Sequence, residues 1–246
     1  HTEHDVSPES YEPDLSDEQQ ARRHILDLDM LGLQVHLLYA FSSHFLLDAS
    51  LPLRLSRMNV AFNDAQGERM PDFVSIHHRD EVLVGAGDLR LALRYRVLGR
   101  SPSDWLIADL SAGVTLPTGS IQPDPYALER EGRTHQHVFF GTGTTNPVVG
   151  VDLLHQRTNY ALTGWFTASG TFYANTYGYR RPTRVRGAAG VVSALGLKAW
   201  RFHGQVGALY ESPATWDGVT DLNTGYKQLL GSLTALYRPA LNWSIF

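Results

Sequence analysis

The run from Asp88 to Leu98 alternates between apolar and charged side chains, and this restricts the possible folds more than any other feature. Its apolar positions are Leu89, Leu91, Leu93, Tyr95 and Val97, and its other positions include Asp88, Arg90, Arg94 and Arg96. A period of two residues is that of a β-strand, whose successive side chains point to opposite faces. In a soluble sandwich the apolar face would turn inward, whereas in a transmembrane barrel it would meet lipid and the arginines would line a wet interior. One strand leaves both interpretations open.

Composition narrows the ways in which such a chain could cross a membrane. The 246 residues carry a formal net charge of -4, no cysteine and a mean hydropathy of -0.22. No apolar run approaches the roughly 20 residues of a transmembrane helix, so any crossing must be made by strands. The acidic balance and the lack of a basic patch argue against nucleic-acid binding. The start at His1, without a methionine or an apolar leader, is typical of a processed or trimmed sequence.

The alternation recurs in pairs of segments that predict hairpins. A further strand is predicted at 226–237, and 243–246 has the pattern of a partner strand that is cut short. Residues 24–30 alternate weakly and are expected to be the remnant of a preceding ascending strand. The polar residues 1–23 are expected to form an irregular arm, and 24–246 a single barrel whose last strands are truncated. The predicted hairpins pair 31–41 with 45–55, 84–98 with 106–116, 148–157 with 160–175, and 184–198 with 201–211.

The connections between these segments alternate between short and long. Long connections are expected at 56–83, 117–147, 176–183 and 212–225, so all of them fall at one end of the strands. Short periplasmic turns and longer outer loops are typical of transmembrane barrels. The predicted fold class is therefore all-β: an antiparallel up-and-down transmembrane β-barrel of about 12 strands.

Three short motifs carry a resemblance to a known family. They are Val84-Gly85-Ala86-Gly87-Asp88-Leu89-Arg90-Leu91, Val114-Thr115-Leu116-Pro117-Thr118-Gly119 and Gly141-Thr142-Gly143-Thr144-Thr145-Asn146-Pro147, in that order. Together with the hairpin from Leu38 to Leu53, they resemble the outer-membrane transporter family named for the MetA pathway of phenol degradation. The resemblance covers roughly 35–237 and implies a bacterial outer-membrane β-barrel without catalytic residues.

Charged side chains on the inward face are the candidate pore lining. If the lumen is open, the excess of arginine would favour anions such as aromatic carboxylates. Alternatively, the arginines and acids pair across strands and hold a plugged, rigid interior. The candidates are Asp48, Arg54, Asp88, Arg90, Arg94, Arg96, Asp109, Arg184, Arg186, Lys198 and Arg201. Asp152 and Glu211 fall on the same face.

Histidines offer a second kind of site. Imidazole ligands from the arm and from two long connections could together bind a metal ion, although loop histidines are more often solvated. No metal site and no cofactor is predicted. The histidines concerned are His1, His4, His77, His78, His135 and His137.

Catalysis is not predicted. The sequence contains no Gly-x-Ser-x-Gly motif, no P-loop and no dinucleotide fingerprint that opens a helix. A barrel hydrolase could still combine Ser111 or Ser169 with His203, which sequence spacing alone does not show.

Two functions from different classes follow. The first is a passive outer-membrane channel for small anionic or aromatic solutes, with membrane lipid and the solute as its partners. The second is a structural or accessory barrel with a closed lumen, whose long loops or His-bearing arm bind a partner protein or a metal.

Overall fold

The structure is a computed structural model that describes residues 2–5, 21–73, 75, 79–99, 101, 104–135, 138–193, 199–222 and 224–237; for 2–5 it describes the backbone only. Strands dominate these residues. None of the helices found there is long and apolar enough to cross a membrane. The elements are β1 (Thr2–Asp5), β2 (Arg23–Ala40), β3 (Phe45–Asn63), β4 (Glu81–Ala86), β5 (Leu89–Leu98), β6 (Leu106–Leu116), α1 (Pro125–Arg130), β7 (Asn146–Gln156), β8 (Tyr160–Ser169), β9 (Tyr179–Arg180), β10 (Arg184–Ser193), β11 (Trp200–Glu211), β12 (Thr215–Trp216), β13 (Val219–Thr220) and β14 (Tyr226–Tyr237).

The main sheet follows the order of the chain. Among the described residues it has 11 strands in the order β1-β2-β3-β5-β6-β7-β8-β10-β11-β14, with β4 paired to β3. β1 pairs with β2 in the antiparallel sense, and every pairing within this sheet from β3 to β14 is antiparallel as well. A separate small sheet has the order β13-β12-β9. The all-β, antiparallel, up-and-down architecture predicted from the alternation is therefore confirmed.

The chain divides into two compact units. The first comprises His1–Val35, Leu51–Asp88 and Pro117–Gly143, and the second comprises His36–Ser50, Leu89–Leu116 and Thr144–Phe246. The first unit contains β1, β4 and α1, and the second contains the strands from β5 to β14. β2 and β3 each have residues in both units.

In the first unit, β1 and β2 differ from the expectation. Thr2–Asp5 pairs with β2 in the register Thr2↔Leu26 to Asp5↔Arg23, where the sequence analysis expected an irregular arm. The separate ascending strand expected at 24–30 is wrong, because this segment is the first part of the 18-residue β2.

The other boundaries in the first unit also shift. β3 runs on to Asn63, and Met58 and Phe62 are buried on the face opposite to that of Leu51, Leu53 and Leu55. The Phe62 ring lies 4.8 Å from that of Phe73. The expected strand 84–98 is divided at Gly87 and Asp88 into β4 and β5. At this break, the backbone N–H of Gly87 donates to the carbonyl oxygen of Pro52 at 2.8 Å.

In the second unit, the polar face of the sheet is the buried one. Asp48, Ser50 and Ser111 are at most 7% exposed. On the opposite face Leu93, Tyr95 and Leu110 are 44–48% exposed. This is the reverse of a soluble protein, where apolar side chains form the interior.

The long connections contain a short helix and a small sheet that the residue pattern did not predict. Helix α1 begins after Asp124, whose carboxylate accepts a hydrogen bond from Tyr126 N at 2.9 Å. In the small sheet the rings of Tyr179 and Trp216 lie 4.8 Å apart, and burial raises the pKa of Tyr179 to about 12.

Candidate functional site

Four charged side chains on the polar face of the second unit form one connected network. Arg90 Nη1 donates to Asp48 Oδ2 at 3.0 Å, and Arg94 donates to the same oxygen through Nε at 3.2 Å and Nη2 at 3.1 Å. Arg94 Nη1 also lies 3.1 Å from Asp152 Oδ2. The register explains these contacts, because Ala92 of β5 pairs with Asp48 of β3, which places Arg90 and Arg94 diagonally across from the carboxylate.

A second pair extends the network along β5 and β6. Arg96 makes a two-pronged contact with Asp109, with Nε 2.8 Å from Oδ1 and Nη2 3.1 Å from Oδ2. Asp109 pairs in register with both Arg96 and Asp152. Such forked contacts are among the stronger charge-assisted hydrogen bonds.

The network is balanced in charge. Its three arginines, Arg90, Arg94 and Arg96, meet the three carboxylates of Asp48, Asp109 and Asp152. Cross-strand pairing, one of the two alternatives drawn from the sequence, is therefore what these residues do in the structure. Their role as pore lining stays a prediction.

The inward arginines of β10 have different surroundings. Arg184 pairs with Glu211, which is its register partner on β11. Arg186 donates through Nε to Thr167 Oγ1 at 3.0 Å, and its guanidinium carbon lies 5.7 Å from the centre of the Trp165 ring. Within the described part of the chain, no carboxylate forms an ion pair with Arg186.

The remaining candidates are not part of these contacts. Arg54 is exposed, and Arg201 is exposed and donates to the Trp200 carbonyl at 2.8 Å. Lys198 lies outside the described residues.

The Asp88 carboxylate, in the first unit, accepts hydrogen bonds from two backbone N–H groups and one hydroxyl. Its Oδ1 accepts from Gly119 N at 3.1 Å, and its Oδ2 accepts from Thr142 N at 3.0 Å and from Thr142 Oγ1 at 2.6 Å. The segments it joins touch closely, because a Cβ on Gly141 would lie 2.4 Å from the Gly119 carbonyl. The Asp88 carboxylate of the first glycine-rich motif therefore connects it to the other two.

The third motif encloses a buried polar cluster that sequence reasoning did not single out as a site. Thr144 and Asn146 are 0% exposed. Asn146 Nδ2 donates to Thr115 Oγ1 at 3.0 Å and to Thr144 O at 2.9 Å, and Thr144 Oγ1 donates to Asn146 Oδ1 at 2.9 Å. These three hydrogen bonds are all made within the protein, so a structural role explains the cluster.

The described residues do not form the histidine metal site that the sequence left open. His135 is buried with its Nδ1 3.0 Å from Arg133 O, whereas His77, His78 and His137 lie outside the described residues. Among the residues that are described, no group of three potential metal ligands occurs.

The hydrolase candidates have other partners. His203 Nε2 lies 3.3 Å from Thr163 Oγ1, and Ser169 Oγ accepts from Arg181 at 3.2 Å. Ser111 is buried on the polar face.

Comparison with known proteins supports the fold. No family model and no curated protein matches the sequence. The structure is similar to that of the COG4313 outer membrane channel from Pseudomonas putida F1, with a TM-score of 0.54 over 97% of this chain and 80% of that chain, at 11% sequence identity. At this identity the similarity shows the fold alone, and the predicted antiparallel β-barrel fold class is confirmed.

Proposed function

We propose that this chain is an outer-membrane β-barrel channel through which small solutes, anionic and aromatic ones among them, pass passively. We propose further that it belongs to the transporter family named for the MetA pathway, whose motifs it resembles. The observation that carries the proposal is the sheet of the second unit, whose polar face is buried and whose apolar face is exposed. A face of exposed Leu, Val, Phe and Tyr side chains requires an apolar solvent, and lipid supplies it.

Aromatic residues near the two ends of β11 and β14 support a membrane position. Trp200 pairs with Tyr237 at one end, and Tyr210 lies near the other. Ten residue steps from Trp200 to Tyr210 span roughly 33 Å along a strand. At the roughly 40° tilt of barrel strands this corresponds to about 25 Å, the height of the apolar band between the aromatic girdles of outer-membrane barrels.

The preference for anions is supported by arginines that lack an acid. Among the described residues, Arg54, Arg186 and Arg201 form no ion pair, whereas the arginines of β5 are neutralised by aspartates. A positive surplus that faces water raises the local concentration of anions.

The balanced network on β5 favours the second candidate, an accessory barrel with a closed lumen that binds a partner protein or a metal through its long loops or arm. Crossed ion pairs are well suited to holding a rigid, filled interior. The two candidates differ in whether ions pass.

Planar-bilayer recording separates them. The full chain is refolded in detergent, and folding is checked by a shift in gel migration between unboiled and boiled samples. We expect ion current, with a reversal potential in a potassium chloride gradient that indicates chloride preference. Folded protein that carries no current would refute the channel and support the accessory barrel, and folding as a stable monomer in plain buffer would refute the membrane position.

Charge-neutral variants test selectivity. Replacing Arg54, Arg186 and Arg201 by glutamine should move the reversal potential toward cation preference. Replacing Arg90 and Asp48 together by neutral residues is the matched control, because it removes one charge of each sign. An equal shift in both proteins would contradict the assignment of selectivity to the arginines without an acid.

A further inference from the structure

Arg186 differs from the arginines of β5 and from Arg184 because it lies against the aromatic ring of Trp165. Arg90, Arg94, Arg96 and Arg184 each contact a carboxylate. The guanidinium of Arg186 instead lies against an indole ring, with its carbon 5.7 Å from the ring centre. Cation–π contact of this kind stabilises an arginine without neutralising its charge.

The geometry leaves part of the guanidinium fork available. Nε of Arg186 is used by Thr167 Oγ1 at 3.0 Å, which fixes the orientation of the group. Within the described residues, no acceptor contacts Nη1 or Nη2, and the side chain is exposed. A planar guanidinium held at Nε presents its two terminal nitrogens to a carboxylate in a forked geometry.

The surface beside this fork is apolar on the side of β10 and β11. Trp165 pairs in register with Ala188, and Ala188 pairs with Gly207, so only small residues flank the indole in that direction. On its other side Trp165 pairs with Asp152 of β7, whose carboxylate is already paired with Arg94 at 3.1 Å. Leu209 is the register partner of Arg186 on β11. Indole, methyl and isobutyl groups therefore adjoin the arginine on the same face of the sheet, and could contact the body of an apolar anion.

The position along the strands suits an entry site. Arg186 is the third residue of β10, two positions after Arg184, where the long connection from β8 ends. Thr167 is the third residue from the end of β8 that leads into the same connection. A solute entering from the end of the long connections would reach Arg186 within the first residues of these strands.

We infer that Arg186, Thr167 and Trp165 form a binding site for monocarboxylates with an aromatic or other apolar body, the carboxylate on the Arg186 fork and the body against Trp165. This inference rests on the proposed channel function and names its solute class. The site differs from the balanced β5 network, whose arginines are already occupied by aspartates.

The test uses benzoate as the probe, with benzyl alcohol as the uncharged and acetate as the small-bodied comparison. Equilibrium binding of radiolabelled benzoate to the folded full chain in detergent is measured first, and block of the chloride current by benzoate is measured in bilayers. Arg186→Gln should weaken benzoate binding by about tenfold or more, the usual effect of losing a charge-assisted hydrogen bond. Arg186→Lys, which keeps the charge but loses the fork, should weaken it by a smaller factor.

Arg157→Gln is the matched control, because it removes the same charge at an exposed position just after β7 that takes no part in the proposed selectivity. It should leave benzoate affinity within about twofold, whereas Trp165→Leu should weaken benzoate more than acetate. Folding of every variant is checked by gel migration, and the Lys variant provides the reading if Arg186→Gln does not fold.

The outcomes distinguish the site from the channel. Benzoate affinity that is the same in wild type, Arg186→Gln and Arg186→Lys overturns the site even if current flows. Equal weakening by Arg157→Gln also overturns it, since the effect would then be one of general charge. Arg186-dependent binding in a protein that carries no current supports the site and refutes the channel.

Discussion

Replacing Asp48 by alanine tests whether the ion-pair network holds the β3–β5 pairing together. The Asp48 side chain is 4% exposed, and one of its oxygens accepts three N–H groups from Arg90 and Arg94. Alanine would leave two guanidinium groups facing each other without the carboxylate that lies between them. The variant should therefore fold less stably, or fail to complete this part of the sheet.

The size of the effect follows from burial. Removing one partner of a buried ion pair typically costs about 3–5 kcal/mol, because the remaining charge is uncompensated. Here the arginine side chains are 19% and 30% exposed, and Arg94 keeps its contact with Asp152. We therefore expect the lower end, about 3 kcal/mol. Asp48→Asn, which keeps the volume and loses the charge, should cost less.

Urea unfolding of the protein in lipid vesicles, followed by tryptophan fluorescence, measures the free energy of unfolding. Asp152→Ala is the matched control, because Asp152 is 38% exposed and its partner Arg94 retains Asp48. An exposed pair contributes about 1 kcal/mol or less. Equal losses for the two alanine variants, or a loss below about 1 kcal/mol for Asp48→Ala, would refute the view that the buried carboxylate organises the network.

Three further perturbations test other parts of the structure. Leu93→Arg places a charge on the exposed apolar face and should destabilise the vesicle-inserted protein by about 2–4 kcal/mol if that face meets the bilayer core; an unchanged urea midpoint would contradict a lipid-facing Leu93. Asp88→Ala removes the three hydrogen bonds to Gly119 and Thr142 and should increase protease cleavage between 117 and 143, while Asp64→Ala, which removes contacts within another connection, should not. Tyr179 has a pKa of about 12, against about 10 for a free tyrosine. Its burial as a neutral phenol therefore contributes about 2–3 kcal/mol to the free energy of unfolding below about pH 10, and this contribution is lost as the pH rises through 12. The tyrosinate absorbance of wild type minus Tyr179→Phe should show a group that titrates well above the other tyrosines, and a difference curve centred near pH 10 would show that the ring is not buried.

The strands of the second unit could be predicted from the sequence because each alternates cleanly. From Leu89 to Val97 every second side chain is apolar, and the exposed face in the structure carries Leu93, Tyr95 and Val97. Local chemistry is enough here, since the period of two is a property of the extended backbone. The break at Gly87 and Asp88 was not predictable in the same way, because it depends on a hydrogen bond from Gly87 to the distant Pro52.

The face on which the arginines of β5 lie could be predicted from the sequence, and their pairing could not. Sequence placed Arg90, Arg94 and Arg96 on one face, yet it left open whether they faced water or acids. That choice depends on register: Asp48 is opposite Ala92, and Asp109 is opposite Arg96. A shift of one residue would have moved each acid to the other face of its strand.

The run from Asp88 to Leu98 thus carries in its own residues a two-faced strand with arginines on one side. The tertiary structure decided the rest: it separated Asp88 from the strand as the acceptor for two connections, paired the arginines of β5 with aspartates, and left Arg186 on a tryptophan. The physical reason is that alternation is set by bonds between neighbouring residues, whereas ion pairing is set by which strands lie side by side and in what register.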